Sequence, residues 1–182
     1  ISPMVMGISK ESNRNPGGNN KKKVSEYGMQ LKEKQKLKFI YGVLEKPFYH
    51  YFEIAEKMEG KAGDNLITIL ESRLDNVVYR LGFAPSRTTS RQLVTHAHFT
   101  VNGKKVNIAS YQLNVGDVVA VKENKRDSKY FEAFKQSEKS HNVPKWLEFD
   151  AEKLEGKVIA LPVREDIDAQ INEQMIVELY SK

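Results

Sequence analysis

An α+β fold follows from three observations on this 182-residue chain. Apolar residues recur at helical spacing through the first half. The period then changes to two after His98, around an Asn-Gly pair, and a closing stretch returns to helical spacing. Helices followed by antiparallel strands read as α+β, and the length suffices for one good core or two modest ones.

The elements follow in order. Residues 1–23 read as a basic, extended or disordered arm. Asn13 to Asn20 hold no apolar anchor, and Lys21, Lys22 and Lys23 follow at once. The opening on Ile1 in place of methionine gives the expectation of a trimmed start. Ser25 is suited to cap a helix with Glu26 in its first turn. From there to Tyr41, Lys32, Lys34, Lys36 and Lys38 recur at every second position, so positive charge wraps much of the helix. Leu31, Leu37, Ile40 and Tyr41 leave only a thin apolar side. Leu44, Phe48, Phe52, Ala55 and Met58 mark a second helix, with Pro47 tolerated in its first turn. After a Gly60–Gly63 loop, Asp64 is the expected N-cap. The stripe Leu66, Leu70, Leu74, Val78 and Leu81 then predicts one helix of about four turns, stopped at Gly82.

Ala84–Pro85–Ser86 forms a turn, and Ser86 caps a short helix through Thr95. Phe99 and Val101 then alternate with Thr100, Asn102–Gly103 gives a hairpin, and Val106 and Ile108 lead back. Leu113 and Val115 precede a Gly116–Asp117 turn and a strand from Val118 to Val121. Residues 122–145 are polar, with Phe131 and Phe134 at helical spacing. Trp146, Leu147 and Phe149 close that excursion, and Val158–Leu161 predicts a further strand ended by Pro162. Ile171, Met175, Ile176, Leu179 and Tyr180 form a last helix with too little apolar surface to fold alone.

Charge is distributed unevenly. Net charge is +5, yet residues 1–139 carry +9 and residues 140–182 carry −4. That polarity points to a polyanion on one side and a different neighbour on the other. There is no cysteine, which rules out disulfides, thiolate nucleophiles and Cys-based metal sites. No run of 18 apolar residues and no signal-peptide pattern occur, so a soluble protein of a reducing compartment is expected.

The densest chemical signal is Ser86-Arg87-Thr88-Thr89-Ser90-Arg91-Gln92-Leu93, followed by the hairpin with Asn102, Lys104 and Lys105. Arg87 and Arg91, four apart, project from one helical face, flanked by Gln92 and His96. Guanidinium forks, lysines and a helix N-terminus together suit the phosphates of a structured RNA. The competing reading is an exposed helix whose arginines pair with nearby carboxylates, and the residues alone leave both open. His96 and His98 lack a third metal ligand nearby. Glu71 and Asp75, four apart, read as helix-surface carboxylates near Arg73 and Arg80 more than as an acid/base pair. Neither a P-loop nor a nucleophile–base pair is present, so binding, not catalysis, is expected, with no metal or cofactor.

At these residues the sequence resembles the bacterial-type small-subunit ribosomal protein S-four family. The resemblance is carried by Ser25-Glu26-Tyr27-Gly28, Gln30 to Lys36, Tyr41-Gly42-Val43-Leu44-Glu45 and Leu70 to Arg80. It continues through Arg91 to Val94, Val101-Asn102-Gly103, Val106 to Tyr111 and Ile176 to Lys182. Residues 72–135 also resemble a domain found in tyrosyl-tRNA synthetases, pseudouridine synthases and heat-shock RNA binders. The resemblance implies a helical domain at 24–70, completed by 166–182, with an α+β RNA-binding domain inserted at 71–165. It implies a structural, non-enzymatic constituent of the small ribosomal subunit, in the cytoplasm or an organelle, that binds ribosomal RNA at a multi-helix junction of the 5′ domain. Nucleation of assembly and an influence on decoding accuracy are implied as well. The implied neighbours are ribosomal protein five of the small subunit and messenger RNA near the path by which it enters. The RNA-contacting residues implied are Arg87, Arg91, Gln92, His96, Asn102, Lys104 and Lys105. The basic first segment adds Lys21, Lys22, Lys23, Tyr27, Lys32, Lys34 and Lys36. The alternative is a free-standing RNA-binding regulator or assembly factor. Three departures stand out: the family's longer arm, zinc-binding in some members, lacks its cysteines here, Ser90 replaces the usual alanine, and Thr88–Thr89 weaken helix propensity.

Overall fold

The computed structural model describes residues 25–136, 143–164, 167 and 171–181, with backbone alone at 133–136. Lys21, Lys22, Lys23 and the rest of the basic arm lie outside the described residues, as does the side chain of Phe134.

Helix α1 (Glu26–Tyr41) starts where Ser25 Oγ accepts from the Gly28 N–H at 3.1 Å. It ends at Gly42, whose φ of +65° turns the chain left-handed while its N–H returns to Lys38 and Phe39 carbonyls. Helix α2 (Glu45–Lys57) buries Phe48, Tyr51, Phe52 and Ala55. Leu44 lies on the N-cap and is 77% exposed, so the predicted apolar stripe begins one turn later. Helix α3 (Ala62–Glu71) starts two residues before the expected cap, which leaves Asp64 inside its first turn, favourable for the helix dipole.

The long predicted helix is two. After α3 the chain extends at Arg73, with φ −67° and ψ 142°, before α4 (Leu74–Arg80) begins. The segment 109–113 causes the break, because it competes for the backbone. The Leu74 N–H donates to the Tyr111 carbonyl, the Asp75 N–H donates to Ala109, and the Leu113 N–H donates to Ser72. The apolar stripe continues across the break but changes core. Leu66, Ile67 and Leu70 pack with Leu37, Tyr41, Phe48, Phe52 and Ile176, while Leu74, Val77, Val78 and Leu81 pack with the sheet.

Helix α5 (Arg87–Thr95) is capped by Ser86 as expected, with Thr89 N–H donating to Ser86 Oγ at 3.1 Å. Strands β1 (Phe99–Val101), β2 (Lys104–Lys105), β3 (Val118–Val121), β4 (Leu147–Asp150) and β5 (Glu155–Val158) form one antiparallel sheet in the order β2-β1-β3-β5-β4. Asn102 and Gly103, at φ 52° and 84°, make the predicted tight turn. The return strand is two residues long, so Ile108 is 57% exposed. The last strand ends at Val158, where the sequence reading has it begin. Gly156 faces the core, and a Cβ there would meet Leu81 Cδ2 at 2.5 Å. Helix α6 (Lys129–Gln136) adds Phe131 to the sheet's core beside Phe83 and Phe99.

Helix α7 (Glu173–Tyr180) packs on α1 and α3, far from its neighbours in sequence. Ile167, Ile171 and Ile176 join the helical core, and the Tyr180 ring lies 4.6 Å from Phe52. A second core therefore stands beside the sheet's, and the two meet at Glu71–Asp75.

Candidate nucleic-acid interface

The cations of the candidate site occur in two settings. The first is the hairpin tip. Asn102 Nδ2 donates to Asp117 Oδ1 at 3.0 Å and Asn102 Oδ1 accepts from the Val118 N–H at 2.9 Å, which ties the turn to β3. The Asn102 side chain thus braces the turn while the residue stays exposed. Lys104 and Lys105 stand exposed beyond it, and among the described residues neither ammonium has a carboxylate partner. Gln92 is exposed on α5, and His96 is exposed at its C-cap. On α1, Tyr27, Lys32 and Lys36 are exposed. Lys34 is turned inward: its Nζ sits 2.9 Å from Glu45 Oε1 and 5.3 Å from the Tyr180 ring, with the side chain 12% exposed. Lys38 joins the same carboxylate at 3.0 Å. Burial alone would raise the Glu45 carboxyl's pKa, but hydrogen bonds from Lys34, Lys38 and Tyr180 outweigh it and hold the pKa below its ordinary value.

The second setting is the seam between the cores, where Arg87 and Arg91 lie. Both guanidiniums share one side of α5, and each also meets protein groups. Arg87 lies between the rings of Tyr41 and Tyr79, at 4.8 and 4.6 Å, and its Nε donates to Asn76 Oδ1 at 2.8 Å. Arg91 Nε donates to Asp75 Oδ2 at 3.4 Å, and its Nη2 donates to the Gly42 and Tyr41 carbonyls at 2.5 and 3.3 Å. Arg91 thus has a carboxylate partner in Asp75, whereas Arg87 is held by Asn76 and two aromatic rings.

Glu71 and Asp75 overturn their reading as helix-surface carboxylates. They are 0% and 2% exposed, because the break between α3 and α4 turns both into the seam. Glu71 accepts from Arg80 Nε and Nη2 at 3.1 and 2.9 Å, from Asn76 Nδ2 at 2.9 Å and from the Tyr41 hydroxyl. Asp75 takes both prongs of the Arg73 fork at 3.1 and 3.0 Å, and Arg73 Nη1 donates to the Tyr51 hydroxyl at 3.0 Å. Burial and the adjoining Glu71 charge push the Tyr41 hydroxyl's pKa far above its ordinary value. Burial works against the Arg73 charge, but the bonds to Asp75 prevail and raise its pKa. Ser90 is fully buried and donates its hydroxyl to the Asp75 carbonyl, so the departure from alanine has a partner. Arg87 and Arg91 also line a cleft of about 430 Å³ with Phe39, Tyr79, Ser86 and Thr88.

An α+β unit with a lysine-tipped hairpin, joined to a helical lobe with an outward basic face, defines a polyanion-binding protein class. The family described as "S4 domain" matches residues 72–119, and "Ribosomal protein S4/S9 N-terminal domain" matches residues 4–71. The chain is 64% identical over 165 residues to small ribosomal subunit protein uS4 of Caldicellulosiruptor saccharolyticus, covering 91% of this chain and 79% of that protein. It is 53% identical over 182 residues to uS4 of Agathobacter rectalis, covering all of this chain and 92% of that one. The chain belongs to the uS4 family of small ribosomal subunit proteins, structural constituents and not enzymes.

Proposed function

We propose that this chain is a structural constituent of the small ribosomal subunit that binds its ribosomal RNA. The unpaired ammoniums of Lys104 and Lys105 on a rigid hairpin carry this reading, because exposed cations without protein partners are free to release counterions from phosphate. Lys32 and Lys36 on α1, with Gln92 and His96 on α5, extend the contact surface. Two domains bear it: a helical one at 24–70 completed by 166–182, and an RNA-binding one at 71–165. The two cores, and a break between helices at Ser72–Arg73 where they meet, support that division. The RNA site is a multi-helix junction of the 5′ domain, recognised through phosphates and shape, and early binding there nucleates assembly. Ribosomal protein five and messenger RNA near its entering path are the further neighbours, through which decoding accuracy is influenced.

Affinity for a 5′-domain RNA fragment against salt is the test. A steep linear fall of log K with log salt is expected, and a flat profile would overturn the reading. The protein should also stay with the small subunit through a high-salt wash; elution would favour a free-standing assembly factor.

A further inference from the structure

The seam holds more charge than packing needs, and its arrangement has a direction. Arg91 comes from α5 of the sheet-bearing lobe, yet its Nη2 donates to Tyr41 and Gly42 carbonyls at the end of α1 in the helical lobe. Those carbonyls are left over at a helix C-terminus, where a cation is favoured. Asp75 and the buried Ser90 hold Arg91's helix in register from beneath. Arg87 clamps the Tyr41 ring against Tyr79, again joining the lobes. Gly42 is shaped for this contact, since a Cβ there would fall 2.8 Å from Arg91 Nη2.

We infer that Arg87 and Arg91 are positioning residues: they fix the angle between the two lobes, and so the distance between the α1 lysines and the hairpin lysines, without themselves neutralising phosphate. This rests on the RNA-binding reading above. The basic groups of the two lobes then meet a folded RNA as one preformed surface, and binding does not pay the ordering cost that the seam has already met.

Two readouts separate the roles. A residue that contacts phosphate lowers the salt slope when removed, by about one unit or a little less. A positioning residue lowers affinity by the same factor at every salt concentration and leaves the slope unchanged. Arg91→Ala is expected to give a parallel, weaker line, whereas Lys104→Ala is expected to flatten it. Because the chain has no cysteine, Lys57→Cys on α2 with Thr95→Cys on α5 gives a unique spin-label pair across the seam. Its distance distribution in the free protein should be narrow, should broaden with Arg91→Ala and should be unmoved by Lys104→Ala. If Arg91→Ala does not fold, Gly42→Ala serves, since it displaces the guanidinium while every charge stays. It should likewise weaken binding without changing the slope. A slope reduced by about one unit with an unchanged distance distribution would overturn the inference. A wild-type chain without salt-dependent RNA binding would overturn the functional reading instead, and the distances in the free protein would still decide the role of the seam.

Discussion

The seam and the hairpin tip both gather cations and are opposite in what they do with them. At the seam, Arg73, Arg80, Arg87 and Arg91 surround two buried carboxylates, and each has a protein partner. At the tip, Asn102 and Gly103 build a stiff turn, and the two lysines beyond it pair with nothing among the described residues. Positive residues in a sequence are therefore not positive surface. What separates the two regions is whether the backbone brings a carboxylate within reach. The same contrast divides α1, where Lys34 is held by Glu45 and Lys32 faces solvent.

The largest effect should come from breaking the seam's centre. Glu71→Ala leaves Arg80, Asn76 and the Tyr41 hydroxyl without their acceptor and should cost about 3–5 kcal/mol of stability. Denaturant unfolding reads this, and a loss below about 1 kcal/mol would make the network incidental. Next come two glycines of the same left-handed backbone. Ala at Gly42 or Gly103 meets a backbone cost of about 1–2 kcal/mol, but only Gly42 also displaces a partner. Gly42→Ala should therefore be the more destabilising, and equal losses would remove Arg91 from the account. Ser86→Ala should cost about 1 kcal/mol by uncapping α5.

The smallest changes in stability belong to the exposed charges. Lys104→Ala with Lys105→Ala should alter stability by less than about 0.5 kcal/mol while weakening RNA binding. For Glu45, whose pKa in the folded chain lies below the ordinary 4.5, the stabilisation is present above that value and fades as pH falls through the lower one. The stability gap between wild type and Glu45→Gln should therefore close in acid below pH 4.5, and a gap independent of pH would count against the Lys34–Glu45–Lys38 cluster.

Much of the fold was legible, because caps and turns are local. Ser25 and Ser86 cap within three residues of themselves, and the Asn102–Gly103 backbone turns as its sequence predicts. The break at Arg73 was not legible. The Leu66–Leu81 stripe keeps helical period through it, and the competing hydrogen bonds come from residues 109–113, some forty positions away. Strand β5 was hidden because Gly156, one of its two inward residues, has no side chain to mark a period. At the site, the hairpin lysines were readable because no carboxylate lies beside them in the chain. The fate of Arg87 and Arg91 was not, since their acceptors at Asp75, Asn76 and Gly42 arrive through tertiary contact. A hint was present: Glu71, Arg73, Asp75 and Arg80 crowd one stretch, which on a solvent-facing helix would need no such balance.

Lysine reactivity, mapped by amine acylation and mass spectrometry in the free and RNA-bound chain, tests the contrast most directly. Lys104, Lys105 and Lys32 should react readily when free and become protected by the small-subunit RNA fragment. Lys34 and Lys38 should be slow in both states, because Glu45 already holds them. Reactive Lys34 in the free chain, or Lys104 and Lys105 unprotected in the complex, would contradict the division between cations that build the protein and cations that meet RNA.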